Sequence, residues 1–436
     1  MDLELDDIQS GVLRPRPTPF AATYVLLRID DRDAGRALMR RLAEVVSSAA
    51  DSQSSAGDTW ISASLSYQGL KALGVPQSSL GSFPLPFVQG MAARAASLGD
   101  VGESAPERWE KPLGSPDVHV VITAIAPDDA RLAVALDRAR DVLKSSPGIE
   151  AIWRQDCHVL PGEREPFGFK DGISHPAIEG SGIAGTNPHE PPLKAGEFVL
   201  GYPDEVTVTH EIPQPEILGR NGTFVAFRKL HQRVAEFRRY LHENASGPAD
   251  EELVAAKMMG RWRSGAPLAL CPAADDPSLG ADPSRNNAFL YRADDGIGYK
   301  TPLGSHVRRS NPRDSDVAGL VRIHRMIRRG TAYGPPLPDG VTDDDGVDRG
   351  IMFAFVGAHP VRQFEFVQKE WINNSTFFGG KEERDPVVGA TDDGTFPIPR
   401  RPVRRQLKAL PRFVITRGGE YCFMPGLRAL RWLGAL

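Results

Sequence analysis

Cysteine is scarce in this chain. Only Cys157, Cys271 and Cys422 occur in 436 residues, and no two of them form a CxxC pair. That excludes a disulfide framework and a zinc ribbon. No apolar run is long enough to span a bilayer. Positive charge is not in excess: 52 Lys and Arg face 56 Asp and Glu, for a formal net charge of −4. No global field therefore recruits nucleic acid or an anionic membrane, and neither is expected as a partner. The motifs GxSxG, HExxH and CxxCH are absent, which argues against a serine-hydrolase elbow, a zincin and a c-type haem link. The opening "MDLELDDIQSG" is acidic and polar, unlike a secretory signal. A reducing cytoplasm is the compartment this composition fits. A homo-oligomer stays open.

What is present is an internal echo. "ATYVLLRIDDRDAGRALMRRLAE" starts at Ala22 and "GTFVAFRKLHQRVAEFRRYLHE" at Gly222. Thr23, Tyr24, Val25 and Arg28 match Thr223, Phe224, Val225 and Arg228 at a constant offset. Each stretch opens with a β-rich run and continues with apolar residues at helical spacing. "VHVVITAIAP" and "IMFAFVGAH" are further strand candidates, each followed by a helix candidate. "IEAIWRQDCHVL" and "RFVITRGGEYCFMP" close the two halves as strands. This pattern predicts an α+β fold, with helices on one face of an antiparallel sheet and the halves paired as a pseudo-dimer. The Pro- and Gly-rich stretch from about Ile183 to Gly219 reads as the join.

Two motif matches are weak. "GSGIAG" fits GxGxxG, but no strand precedes it and prolines follow where a phosphate-binding helix should open. "DGVTDDDGVDRG" lacks the first and twelfth ligands of a calcium loop and reads as a solvated acidic loop.

Three polar stretches remain. "PFGFKDGISHP" holds Asp171 between glycines. It reads either as an Asx turn capping local N–H groups or as an acid that Phe167 and Phe169 partly desolvate for proton transfer. "TPLGSHVRRSNPR" offers His306 as an iron ligand with arginines to neutralise anionic groups, or as a surface histidine in a basic loop. His324 is a rival ligand. "VRIHRMIRRGTAYGP" reads as a short helix stopped by Gly330, with Arg328 at its end. The helix dipole accounts for one arginine there, not obviously for both.

Together, "GFKDGIS", "GSHVRRSNPR" and "IRRGTAYGP" give the chain a resemblance to the dye-decolourising peroxidases, a family of haem enzymes. "DIQSGVL", "AGEFVLGYPDE", "RQFEFVQKEWINN", "ERDPVVGATDDG" and "RGGEYCFMPGLRAL" extend it over nearly the whole length, in the manner of the larger, advanced branch.

The resemblance implies two tandem ferredoxin-like domains, residues 1–182 and 220–436, joined by 183–219. It implies a non-covalent haem b held mainly by the C-terminal half. His306 would be the proximal iron ligand, Asp171 the distal acid–base group and Arg328 the distal arginine. Arg313 would face a propionate. Ile351 and Phe353 would wall the distal pocket, and Glu365 would hydrogen-bond the proximal imidazole. The implied activity reduces hydrogen peroxide to water and oxidises organic donors, dyes and phenolics, in one-electron steps through a ferryl intermediate. A free aspartate titrates near pH ~3.9 and a histidine near ~6.5, so a distal aspartate implies activity at acidic pH. Tyr333 and Trp371 are candidate surface relays for bulky donors. A non-catalytic haem-binding or haem-iron-handling protein is the alternative.

Overall fold

The computed structural model describes residues 2–53, 58–144, 147–187, 190–315, 319–378 and 383–436. Pro188, one of the prolines after the GxGxxG match, lies outside them.

The first half runs β1 (Ala21–Ile29), α1 (Arg32–Val45), β2 (Trp60–Leu65), α2 (Met91–Leu98), β3 (Val120–Ala126), α3 (Asp129–Lys144) and β4 (Ile149–His158). The second runs β5 (Thr223–Gln232), α4 (Val234–Glu243), α5 (Pro248–Met259) and α6 (His306–Ser310). It then continues through β6 (Ile327–Arg328), β7 (Thr331–Tyr333), β8 (Gly350–Gly357), a π-helical stretch (Val361–Glu365 and Val367–Ile372), β9 (Gly394–Ile398), β10 (Arg405–Leu410), β11 (Val414–Met424) and α7 (Leu427–Ala435).

β9 and β10 form a separate ribbon. The other strands make one antiparallel sheet in the order β4-β1-β3-β2-β11-β5-β8-β6, with β7 also on β8. Numbered within its own half, each set of strands reads 4-1-3-2, the ferredoxin-like order. The echo at offset 200 is thus a repeated β-α unit, β1-α1 and β5-α4. The two halves join edge to edge through a single pair, Leu65 opposite Phe423. The fold is α+β, as the sequence pattern predicts.

Period-two alternation divides the sheet faces. Along β3, Val120, Ile122, Ala124 and Ala126 pack into one core, and Val121 and Ile125 into the other. In α1, Asp31 caps the helix by accepting from the Ala34 N–H. Its buried Leu38, Met39 and Leu42 cover the first of these cores. In the second half, β8 sends Met352, Ala354 and Val356 into the second core. The alternating residues Ile351 and Phe353 are left facing a cavity. Leu230 and Gln232 of β5, with Val414 and Thr416 of β11, continue that floor.

The connecting stretch has little regular structure apart from short turns at Ala195–Glu197 and Glu216–Gly219. Buried carboxylates pin it to the π-helical stretch: Arg362 donates to Glu197 and to Asp204, each at 2.9 Å. Burial pushes the Glu197 carboxyl up to about 7 despite that partner.

Candidate active site

The cavity of about 330 Å³ is of a size usual for small-molecule sites. Among the described residues, Arg16, Lys170, Arg228, Arg261, Arg313, Arg328 and Arg412 line it, against Asp100, Glu165 and Asp171. The walls are therefore cationic. Burial drives the Arg261 guanidinium down to about 9. His306, Ile351 and Phe353 line the same cavity.

His306 opens the five-residue α6. The N-cap Ser305 hydroxyl donates back to the Lys257 carbonyl at 2.5 Å and fixes the start of that helix against α5. The imidazole Nδ1 meets Oδ2 of Asp385 at 2.9 Å. Asp385 is fully buried, and its Oδ1 accepts the N–H groups of Val387 and Val388, both at 2.9 Å. Burial alone would raise this carboxyl. The His306 imidazole and the two backbone donors outweigh it and hold the group below its ordinary value. An ionised partner on Nδ1 fixes the tautomer and leaves Nε2 as the ring's ligating atom.

Glu365 does not occupy this position, which corrects the expectation for the proximal acid. Its buried carboxylate accepts from Arg94 of α2, from Lys369 at 3.2 Å and from the Tyr421 hydroxyl at 3.0 Å. Phe364 faces the cavity, and the next residue in the π-helical stretch points away from it. Asp385 lies in the quoted stretch "ERDPVVGATDDG". Its signal was an aspartate before proline, able to cap the following turn.

Two arginines of "HVRRSNPR", Arg308 and Arg309, do not meet the cavity. Arg308 is buried over the Tyr291 ring at 4.1 Å and donates to Asp295 and the Thr301 carbonyl. Arg309 is buried and donates to the Trp371, Asn374 and Glu383 carbonyls. They brace the loop. Arg313 lines the cavity, with φ 55°, over Phe289 at 3.7 Å. It donates to the Asn287 and Phe289 carbonyls, while its Nε has no partner among the described residues.

His324 is excluded as a rival ligand. It stacks on Phe366 at 3.8 Å, bonds the Arg362 carbonyl at 2.6 Å and does not line the cavity.

"IRRG" is not the end of a helix. A short 3-10 turn at Val321–His324 gives way to β6, whose Arg328 pairs with Phe355. β7 resumes the same register with Thr331 opposite Met352. Strand alternation sends the two arginines to opposite faces, which the helical reading could not. Arg329 enters the core beside His175 and the Val12 carbonyl. The Arg328 side chain opens onto the cavity and, among the described residues, makes no hydrogen bond or ion pair. It is exposed to that space; desolvation by the surrounding cavity walls lowers its guanidinium, and the field of Asp171 opposes that. Gly330 shares the cavity face: a Cβ there would sit 3.4 Å from Ile351 and 4.0 Å from Asp171 Oδ2.

Asp171 fits neither sequence reading of its surroundings. The local N–H groups of Phe167 and Phe169 are accepted by Glu165, at 3.1 and 2.9 Å, so Asp171 does not cap this turn. The two rings pack on Phe237 and do not desolvate it. Gly168 (φ 96°) and Gly172 (φ 76°) supply the left-handed backbone on either side. The carboxylate is 41% exposed and accepts from Arg16 Nη2 at 2.7 Å. Sequence reasoning missed Arg16, which lies in "RPRPTP".

Tyr333 and Trp371 are 2% and 1% exposed, so neither is a surface residue.

No protein-family model matches the chain. Peroxidase 2 of Mycetinis scorodonius is 33% identical over 402 residues, covering 86% of this chain and 76% of the relative. Dye-decolorizing peroxidase AauDyP1 of Auricularia auricula-judae is 30% identical over 463 residues, covering 98% and 86%. A solved dye-decolorizing peroxidase in complex with 2,6-dimethoxyphenol superimposes with a TM-score of 0.86 at 30% identity, over 100% of both chains. With these relatives and this fold, the chain belongs to the dye-decolourising peroxidase family and is a haem peroxidase.

Proposed function

We propose that the chain reduces hydrogen peroxide and oxidises organic donors such as dyes and phenolics, with a non-covalent haem b in the cavity. His306 is the iron ligand, Asp171 the proton-transfer group and Arg328 the charge-stabilising donor. The observation that carries this reading is the His306–Asp385 pair on the same cavity as Asp171 and an Arg328 side chain that has no partner among the described residues.

The residues present suit the group. Nε2 of His306 is the free ring nitrogen. Ile351, Phe353, Phe364 and Val388 offer apolar walls, and Gly330 leaves room that a Cβ would fill. The cationic lining, with Arg313 Nε unpartnered among the described residues, suits two propionates. When bound, haem iron supplies the electron chemistry, taking oxidising equivalents from peroxide and passing them to donors one at a time.

Asp171 would accept a proton from one oxygen of hydrogen peroxide and return it to the other, which leaves as water. Arg328 stabilises the negative charge that grows on the departing oxygen. A preorganised donor in a dry site is worth about 3–4 kcal/mol. Asp385 holds the His306 ring and raises its basicity. A haem carrier would need neither Asp171 nor a free Arg328. The 4-1-3-2 order of each half supports reading residues 1–182 and 220–436 as two ferredoxin-like domains joined by 183–219.

The test is stopped-flow mixing of haem-reconstituted protein with hydrogen peroxide. Asp171→Asn should slow the Soret change by roughly 10²-fold or more, and His306→Ala should alter the ligation spectrum. Wild-type rates in the first variant, or an unchanged spectrum in the second, refute the assignment. 2,6-Dimethoxyphenol, bound in a solved relative, is the donor to assay first.

A further inference from the structure

We propose that Arg16 is the positioning residue for Asp171, holding its carboxylate toward the wall formed by Gly330 and Ile351. The inference rests on the reading of Asp171 as the proton-transfer group.

The Asp171 N–H donates to the Glu163 carbonyl at 3.2 Å, but among the described residues its carboxylate has no partner in its own loop. Glu165 takes the N–H groups that a turn aspartate would take. Among the described residues, the one hydrogen bond its carboxylate accepts comes from Arg16, 155 positions away, at 2.7 Å to Oδ2. That same oxygen faces the space left by Gly330, beside Ile351. The orientation Arg16 holds is therefore one that looks into the cavity.

Arg16 is itself well fixed. Its side chain is 10% exposed and its guanidinium lies over the Phe20 ring at 4.3 Å. Pro15 and Pro17 flank it and restrict the backbone that carries it. The other charged groups nearby do not hold the acid. Arg328 is coupled to it only through the field. Glu165 is bonded to Gln232 and the turn. Lys170 pairs with Glu163 at 3.7 Å.

A half-exposed ion pair adds little to fold stability. A proton-transfer group that wanders from its pose, however, loses rate steeply. The effect of Arg16 therefore belongs to chemistry and not to folding.

The experiment compares Arg16→Leu, Arg16→Lys, Asp171→Asn and the Arg16→Leu/Asp171→Asn double variant, each as the full haem-reconstituted chain. Two rates are read from the Soret band: the reaction with hydrogen peroxide, and the binding of cyanide. Cyanide arrives as HCN and must surrender its proton to bind, so it reports proton transfer without turnover. Arg16→Leu should lower both rates about tenfold, equivalent to ~1.4 kcal/mol, with an unchanged thermal midpoint. Arg16→Lys should recover to within about threefold, because the cation is restored. The double variant should be no slower than Asp171→Asn.

Arg16→Leu within about twofold of wild type on both rates, with Asp171→Asn slow, overturns the role of Arg16 alone. Multiplying losses in the double variant overturn it as well. Wild-type rates in Asp171→Asn overturn the underlying reading of Asp171, and the role of Arg16 with it. Should Arg16→Leu fail to take up haem, Arg16→Gln replaces it under the same outcomes.

Discussion

Replacing Asp385 with asparagine should raise the reduction potential of the bound iron. In the folded chain one carboxylate oxygen accepts the Val387 and Val388 N–H groups, and the other accepts from Nδ1 of His306 at 2.9 Å. An asparagine keeps one oxygen for the two backbone donors. It then turns an NH2 group toward Nδ1, which can no longer donate. The loss is a charge-assisted hydrogen bond to a fully buried carboxylate, worth about 1.5–3 kcal/mol. The anion favours the more oxidised metal through the imidazole, so its removal destabilises the ferric state. For a one-electron couple ~1.4 kcal/mol corresponds to ~59 mV, so the ferric/ferrous midpoint should rise by up to about 65–130 mV. Spectroelectrochemical titration of the Soret band measures this directly. Glu365→Gln is the control: that carboxylate serves Arg94, Lys369 and Tyr421, and its loss should move the midpoint by less than about 20 mV. Equal shifts in the two variants, or a shift below about 20 mV in Asp385→Asn, refute the assignment of Asp385.

Two further outcomes concern the scaffold. Glu420 is buried and, among the described residues, accepts only the Met91 and Tyr421 N–H groups, both through Oε1, and burial pushes it up to about 7. Its neutral form is favoured in the folded state, so the stability it contributes is present below its unfolded value near 4.5. That contribution is lost as pH rises through about 7. Glu420→Gln keeps the accepting oxygen and should be more stable than wild type by on the order of 3 kcal/mol at pH ~7.5 and equal to it near pH ~4.5; a constant difference across urea melts at several pH values counts against this. Gly350 starts β8 opposite His231 of the neighbouring β5, and a Cβ would fall 1.9 Å from the Leu230 carbonyl oxygen. Gly350→Ala should cost roughly 3 kcal/mol or more by overpacking beside the cavity wall, and an unshifted denaturant midpoint would contradict the register drawn for these strands.

Much of the fold was written in local pattern. The matched residues at offset 200 mark the repeated strand-and-helix unit because strand and helix each impose their own spacing on apolar side chains. Asp171, His306, Arg313, Arg328, Ile351 and Phe353, named from the family resemblance, all line one cavity. Three features resisted. β6 is two residues long, too short for alternation to show, so "IRRG" read as a helix end. Asp385 and Arg16 carry ordinary local signals, a turn aspartate and a Pro-flanked arginine. Glu365 sits in an apolar helical stretch, and its direction depends on whether the turn is α or π.

The sequence by itself determined the α+β class and the duplication, because both depend on residues close together in the chain; the roles of ligand, acid and cation came from the family resemblance. Which carboxylate backs His306, which arginine holds Asp171, and which of Arg328 and Arg329 meets the cavity were decided only by tertiary structure. These are pairings across 79 and 155 positions, or choices of sheet face. A hydrogen bond over a few ångströms is selected by packing, and local sequence carries no term for it.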